Sequence, residues 1–163
     1  MKLGRVESDA YRDVMGRFAT GVTVITAAGP SGPVGLTANA VTSLSLDPLL
    51  LLACFDNSAR TLPIIRDAGH FGVSVLASDQ EPLARLFASK APESEKFAGV
   101  PHHLHAGIPV LEGALAWVAC ELTRLIPGGD HQIAIGAVLA AEAREGGDPL
   151  LYYRGRYGTL ETL

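Results

Sequence analysis

Short hydroxyl and amide side chains cluster around Arg60, the one arginine between residues 37 and 61. They are Thr37, Asn39, Ser43, Ser58 and Thr61. An arginine with hydroxyls and free backbone amides at a helix start can bind a phosphate group. The same residue types also make ordinary turns and helix caps, so both interpretations stay open. Ser89 and Lys90, further along in a polar segment, extend the set.

His131 is the second candidate for chemistry. It follows the turn Gly128-Gly129-Asp130 and shares a strand face with Ile133 and Ile135. One interpretation is a strand-end histidine that is hydrogen-bonded locally. The other is an imidazole at the rim of a pocket, with a pKa near neutrality, that donates to a ligand carbonyl or amide.

Several familiar motifs are missing from the sequence. It contains no Gly-x-Gly-x-x-Gly, no Walker-type Gly-Lys-Ser/Thr and no Gly-x-Ser-x-Gly, so nucleotide-fold and serine-hydrolase signals are absent. His102, His103 and His105 form a cluster, but zinc sites usually pair such ligands with cysteines. The two cysteines, Cys54 and Cys120, lie in apolar strand-like runs. We therefore predict buried reduced thiols, no disulfide and no metal site.

Composition limits the kinds of partner. The chain has 163 residues, 48% hydrophobic and 18% charged, enough to bury a core and too apolar for disorder. A net charge of -4 predicts no nucleic-acid surface, so an anion site must be local. The charged N-terminus lacks a signal-like apolar region, and the run 49–55 is too short to cross a membrane. We predict a cytoplasmic protein without membrane contact.

An apolar stripe at helical spacing predicts a short N-terminal helix that packs against the core. Its members are Tyr11, Val14, Met15 and Phe18. Ser8 or Asp9 would cap this helix, and Gly21 would end it. Residues 61–68 predict a second helix closed by Gly69, and Ser78 with Glu81 forms the capping-box pattern of a third.

Runs of β-branched and apolar residues predict strands separated by turns. They cover residues 22–26, two strands within 34–48 with an irregular point near 37–39, then 49–55, 70–76, 115–126, 131–143, 150–153 and 156–158. The solidly apolar run 49–55 predicts a strand buried on both faces. Residues 89–113 are polar and interrupted by prolines, which predicts a functional or mobile loop.

These elements predict one domain, residues 1–163, of mainly β class. The predicted strands are joined mostly by turns, with short helices inserted, so a small antiparallel barrel fits best. Composition and spacing alone lead to a small β-barrel suited to an anionic ligand.

A series of short motifs carries the argument further. They are Gly35–Asn39, Ser43–Pro48, Ser58–Thr61, Gly69–Leu76, Phe87-Ala88, Lys96–Val100, Gly129–His131 with Gly136 and Val138, and Tyr152–Tyr157. Their order, across about residues 10 to 160, closely resembles the flavin reductase-like family. These are small NAD(P)H:flavin oxidoreductases that serve two-component monooxygenases.

The resemblance implies an FMN-binding split β-barrel, antiparallel with Greek-key connections and short helical insertions, that forms a homodimer. It implies FMN or FAD as the flavin, NADH or NADPH as co-substrate, and a separate monooxygenase that receives reduced flavin. The chemistry belongs to the cofactors, so the protein must align the two rings and needs no strong acid or base.

The resemblance also implies roles for individual residues. The flavin ring would meet Thr37, Ala38 and Asn39, and Ser43 and Cys54 are further cofactor-binding candidates. The phosphate and ribityl groups would meet Phe55, Asp56, Ser58 and Thr61, with Ser89 and Lys90 as additional candidates. The nicotinamide would lie near His131, the catalytic candidate, with Asp130 and Tyr157.

The sequence departs from the family pattern at two places. Ala40-Val41 stands where Ser-Phe is common, and Pro48-Leu49 where Pro-Pro is common. The first departure removes a hydroxyl and a ring from the expected flavin contacts. Two alternatives to a reductase remain: a flavin carrier on the same barrel, and a barrel that binds no ligand.

Overall fold

The computed structural model describes residues 5–161, and the first four residues of the N-terminal segment lie outside that range. Four α-helices occur in this range: α1 (Ser8–Gly16), α2 (Thr61–Ala68), α3 (Glu81–Ala88, after a 3-10 turn at Ser78–Gln80) and α4 (Glu93–Phe97). The strands are β1 (Thr20–Gly21), β2 (Thr23–Gly29), β3 (Gly32–Ala38), β4 (Val41–Leu46), β5 (Leu49–Asp56), β6 (His70–Val75), β7 (His102–His105), β8 (Ile108–Leu111), β9 (Ala116–Gly128), β10 (His131–Ala143), β11 (Leu151–Tyr153) and β12 (Arg156–Gly158).

Seven strands form one antiparallel sheet in the order β3-β2-β6-β9-β10-β5-β4. Its two edge strands, β3 and β4, are consecutive in the chain and are joined only by Asn39 and Ala40. A two-residue link cannot span a flat sheet of this width, so the sheet curls until its edges approach at this point. The predicted mainly β, antiparallel class is confirmed, and the gap between β3 and β4 is where the barrel is split.

Two apolar clusters pack against the curled sheet, one on each face of β2. One contains Ile25, Phe55, Ile65 and Phe71, so it packs α2 against the strands. The other places Phe87 of α3 against Phe97 of α4, with ring centroids 5.0 Å apart. Helices α2, α3 and α4 are therefore all attached to the sheet by buried side chains.

Local signals predicted α2 correctly. It spans Thr61–Ala68, carries Pro63 in its first turn, and ends at Gly69, whose φ of 71° is the left-handed conformation that glycine adopts at helix ends. The hairpin of β9 and β10 and the C-terminal pair β11 and β12 also occur where predicted.

The predicted burial of the N-terminal apolar stripe is wrong for this chain alone. Tyr11, Val14, Met15 and Phe18 are 48–71% exposed, with Tyr11 at 59% and Phe18 at 71%. The helix also ends at Gly16, and no side chain caps its start. The periodicity correctly predicts an amphipathic helix, but nothing within residues 5–161 covers its apolar face.

Strand β5 is buried on one face only, which corrects the second burial prediction. Leu51, Ala53 and Phe55 point into the core, whereas Leu50 and Cys54 on the other face are half-buried. An unbroken apolar run indicates two faces that avoid water, but it does not say whether one chain covers both.

Residues 89–113 are not a structureless loop. They contain α4 and a hairpin of β7 and β8, and His105 lies with its ring centroid 4.8 Å from that of Trp117. The predicted Ser78–Glu81 capping box is also replaced: Gln80 Oε1 accepts the Ala77 N–H at 2.9 Å. Within residues 5–161, no helix is long and apolar enough to span a bilayer.

Candidate functional site

The loop that follows β5 is fixed by Asp56. One carboxylate oxygen, Oδ1, accepts the Ser58 N–H at 2.7 Å and the Ser58 hydroxyl at 2.6 Å. These bonds, first the hydroxyl and then the amide, lower the pKa of Asp56, with a smaller contribution from His131. Asp56 and Ser58 thus shape the loop. The Phe55 side chain lies in the core against Phe71, so only its backbone is available to a ligand.

Thr61 is the first residue of α2, and its side-chain hydroxyl has no hydrogen-bond partner within residues 5–161. The residue is 3% exposed, and its hydroxyl is the buried side-chain oxygen or nitrogen within residues 5–161 that makes no hydrogen bond. Its neighbours add no free amide, because the Leu62 N–H already donates to Ala59 O at 3.1 Å and Pro63 has no amide hydrogen. A buried hydroxyl without a partner at a helix start fits a site whose anion would supply the acceptor.

Arg60 joins this loop to the turn after α3. Its Nη2 donates to Ala91 O at 2.8 Å and lies 3.6 Å from Glu93 Oε1. In the same turn the Ser89 hydroxyl donates to Leu86 O at 2.7 Å and accepts the Ala91 N–H at 3.2 Å. The sequence candidates Ser89 and Lys90 are therefore brought beside the start of α2.

The segment predicted to meet a flavin ring presents its backbone more than its side chains. The Thr37 hydroxyl donates to Ala84 O of α3 at 2.7 Å, and Asn39 Nδ2 donates to Thr20 Oγ1 at 3.2 Å. Ala38 O accepts the Thr23 hydroxyl at 2.7 Å. Because β3 is an edge strand, alternate residues turn both backbone groups outward. Gly35 does so, and Thr37, two residues on, faces the same open edge.

Asn39, Ser43 and Cys54 come together along one groove of about 990 Å³. Its floor is the half-buried face of β5, and its rim includes Phe18 of the exposed N-terminal stripe. The groove begins just after the end of β3 and runs along β5, so three of the predicted ring-side residues share one surface, whereas Thr37 and Ala38 lie outside its lining.

His131 lies beside the Asp56 loop. In the β5–β10 ladder His131 pairs with Asp56, and its Nδ1 is 2.7 Å from Asp130 Oδ1. Ile133, two residues along β10, pairs with Cys54, whose N–H donates to Ala40 O at 2.9 Å. Two strand residues span about 7 Å, so His131 lies within reach of both the loop and the ring segment.

Tyr157 is placed elsewhere. Its ring lies 5.1 Å from the Arg85 guanidinium and 5.4 Å from the Tyr152 ring, against α3. Burial, followed by Tyr152, raises its pKa. The structure thus groups Tyr157 with α3 and not with the strand that carries His131.

Sequence reasoning gave no role to four residues that support this site. Asn57 donates to Gly129 O at 3.2 Å and accepts from Gln132 at 3.0 Å, which ties the loop to the turn before His131. Glu93 and Lys96 form an ion pair at 3.2 Å. Their signal was a Glu-x-x-Lys spacing inside a segment read as a loop. Across residues 5–161 no three metal-ligating side chains converge.

The structure is a split antiparallel barrel with an arginine, a buried hydroxyl and an edge strand on one side and a histidine beside the Asp56 loop. Comparison with known families specifies the class. Residues 15–161 match the model of the flavin reductase like domain, so the chain belongs to the flavin reductase-like family. The predicted family is confirmed.

Individual relatives agree with this assignment. The chain is 43% identical over 148 residues to the reductase component of a 4-nitrophenol 4-monooxygenase/4-nitrocatechol 2-monooxygenase of Rhodococcus opacus, covering 91% of this chain and 78% of the relative. It is 41% identical to an NADH-dependent flavin reductase of Rhodococcus sp., covering 93% and 86%. The NADH:FAD oxidoreductase SgcE6 of Streptomyces globisporus, solved with NAD and FAD fragments, superposes with a TM-score of 0.87 at 37% identity, covering 96% of each chain.

The predicted enzyme class, a flavin oxidoreductase, and the predicted pair of cofactors, a flavin and a nicotinamide, are confirmed at the level of the family.

Proposed function

We propose that this chain uses NADH or NADPH to reduce free FMN or FAD, and that the reduced flavin passes to a separate monooxygenase. The observation that carries the proposal is the link between the start of α2 and the edge of β3: Arg60 lies 3.6 Å from Glu93, which accepts the Gly35 N–H. His131 pairs with Asp56 in the loop before α2. The relative from Rhodococcus opacus is named as a monooxygenase reductase component, which supports the transfer step.

The phosphate end of the flavin would lie at the start of α2. The buried Thr61 hydroxyl donates there, and Arg60 supplies positive charge that Ala91 O holds in place. Ser58 and Asp56 keep the loop in shape. Lys90, exposed in the neighbouring turn, adds a second positive charge near the same position.

The ring end would lie against the edge of β3. The outward backbone groups of Thr37 offer a donor and an acceptor in fixed positions, as the polar edge of a flat ring requires. Cys54 and Ser43 line the adjoining groove, which excludes water from one face of the ring. When bound, the flavin accepts the hydride that the nicotinamide donates.

His131 serves the nicotinamide side. The Asp130 carboxylate accepts from Nδ1–H, so the ring is held with Nε2 directed away from that bond. A histidine oriented in this way donates or accepts at a fixed point without transferring a proton in the reaction. Positioning of the two rings is the main source of rate, as expected where the cofactors carry the chemistry.

A homodimer is part of the proposal, and the exposed apolar surface supports it. Phe18 is 71% exposed, Leu46 81% and Leu49 53%, and all three line the groove. Large apolar side chains grouped in this way are typical of a protein interface. A second copy of the chain over this surface would also close the ring end of the site. Free thiols at Cys54 and Cys120 fit the proposed cytoplasmic location.

Anaerobic mixing of the purified protein with flavin and nicotinamide tests the function. We expect loss of the visible flavin absorption at a rate well above that of a protein-free mixture, with at least one of the four pairs of FMN or FAD with NADH or NADPH. NADH should be tried first, because two relatives are named for it. A protein that binds flavin but leaves all four mixtures unbleached would be a carrier, and the proposal would be wrong.

A further inference from the structure

Lys96 is a lysine almost completely removed from water. Its side chain is 4% exposed, and its ammonium lies 3.2 Å from Glu93 Oε1. It also donates to Gly35 O at 3.3 Å and Phe87 O at 3.4 Å. A buried ammonium is costly unless it is paired and hydrogen-bonded, and Lys96 meets both conditions with three acceptors.

Glu93 extends the network in two directions. Its Oε2 accepts the Gly35 N–H at 2.9 Å, while Oε1 lies 3.6 Å from Arg60 Nη2. Arg60 in turn holds Ala91 O at 2.8 Å. One carboxylate therefore contacts both the edge strand β3 and the arginine beside the start of α2.

Gly35 of β3 is held in place through both of its outward backbone groups and by contact with α3. Both its outward backbone groups are used, the N–H by Glu93 and the C=O by Lys96. A Cβ at Gly35 would lie 2.9 Å from Phe87 Cε1, so α3 also presses against it. Because Thr37 is only two residues further along the same strand edge, holding Gly35 in place also fixes the position of the Thr37 backbone groups.

We propose that Glu93 and Lys96 are positioning residues that set both ends of the flavin site from a single, partly buried ion pair. Through Gly35 they place the edge groups that meet the ring, and through Arg60 they place the positive charge at the phosphate end. This inference rests on the proposed function, because it assigns both ends to one flavin.

Glu93→Gln with Glu95→Gln as its matched control tests the inference. Both substitutions remove one negative charge from α4, but Glu95 is exposed. Titration with FMN and with riboflavin, which lacks the phosphate, separates the two ends. Glu93→Gln removes charge-assisted bonds at both ends of the proposed site. We therefore expect it to weaken the binding of FMN and of riboflavin by about tenfold or more each, and we expect Glu95→Gln to change neither affinity.

Arg60→Met should weaken FMN by a similar factor and leave riboflavin unchanged, because Glu93 still pairs with Lys96 and accepts the Gly35 N–H at the β3 edge. If Glu93→Gln weakens FMN but not riboflavin, Glu93 acts only through Arg60 and the proposal of a shared positioning pair is wrong. If Glu93→Gln matches Glu95→Gln for both ligands while the wild type still reduces flavin, the inference fails and the proposed function stands. A wild type that binds neither ligand overturns the function itself.

The double variant Glu93→Gln with Lys96→Met guards against a purely structural effect. Breaking a buried pair strands a charge, whereas removing both charges is often tolerated. We expect the double variant to recover the melting temperature lost by Lys96→Met, yet to keep the weakened binding of both flavins. Recovery of flavin affinity together with stability would show that the pair only supports the fold, and would overturn the proposal.

Discussion

Replacing Thr61 by valine should stabilise the ligand-free protein and at the same time weaken its binding of FMN. The Thr61 hydroxyl is buried and has no partner within the described residues 5–161. A polar group in that state costs about 1–3 kcal/mol, which an isosteric valine removes. For a chain of this length each kcal/mol corresponds to about 2–4 °C in Tm, so the ligand-free variant should melt several degrees higher.

The bound state should respond in the opposite direction. A hydrogen bond to a charged group contributes about 1.5–3 kcal/mol, so the Kd for FMN should rise by about 10–100-fold. At FMN equal to 100 times the wild-type Kd, the ligand stabilises the wild type by about 2.7 kcal/mol and a tenfold weaker variant by about 1.4 kcal/mol. Riboflavin has no phosphate, so its Kd should stay the same.

Thr26→Val is the matched control for this experiment. Thr26 is equally buried, but its hydroxyl donates to Pro109 O, so valine strands an acceptor and should lower the stability by about 1–3 kcal/mol. Differential scanning fluorimetry with and without FMN measures all three proteins. If Thr61→Val lowers the Tm as Thr26→Val does, or leaves the Kd for FMN unchanged, the Thr61 hydroxyl does not bind the phosphate of FMN and the reasoning is refuted.

Other parts of the molecule give independent expectations. Gly136→Ala should destabilise the fold by about 1–3 kcal/mol in urea, because a Cβ would lie 2.7 Å from the Phe71 ring and from Cys120 Cβ; an unchanged midpoint contradicts this packing. His131→Gln should raise the nicotinamide KM in steady-state assays and leave the flavin Kd unaltered, and the reverse pattern would remove His131 from the nicotinamide side. Phe18→Asp should yield monomers by light scattering, whereas a dimer of unchanged strength places the interface elsewhere. Burial raises the pKa of Cys120 to about 12, so the folded protein holds this proton more tightly than the unfolded chain. Stability should therefore fall from about pH 9 towards 12, and a Cys120→Ala variant with the same slope would contradict this assignment.

Elements with local signals could be predicted from the sequence. Helix α2 is the clearest case, since Pro63 belongs in a first turn and Gly69 takes the left-handed conformation after the last. The turn before His131 and the long hairpin that follows are similar. Each depends on residues that neighbour one another in the chain, so no tertiary information is needed.

Features that depend on what covers a surface could not be predicted in the same way. The N-terminal stripe with Phe18 and the outer face of β5 with Leu50 and Cys54 have the periodicity of buried surfaces. Within residues 5–161, however, the stripe is exposed and the outer face of β5 is only half-buried. Glu93 and Lys96 were hidden for a related reason. Their partners, Gly35 and Arg60, are distant in sequence, and two charged residues in a polar segment ordinarily indicate a solvated loop.

The departure from the family pattern at Ala40-Val41 bears on where flavin affinity originates. Ala40 O accepts the Cys54 N–H at 2.9 Å and Val41 pairs with Ala53, so both residues perform backbone tasks that any side chain permits. Ala40 and Val41 both line the groove, where they add only small apolar side chains and no hydroxyl or ring. A flavin ring in this groove, as proposed, would make few side-chain contacts at these two positions, so we expect more of the affinity to come from the proposed phosphate end. That is why substitution of the Thr61 hydroxyl is a sharper test of the site than any change at Ala40 or Val41.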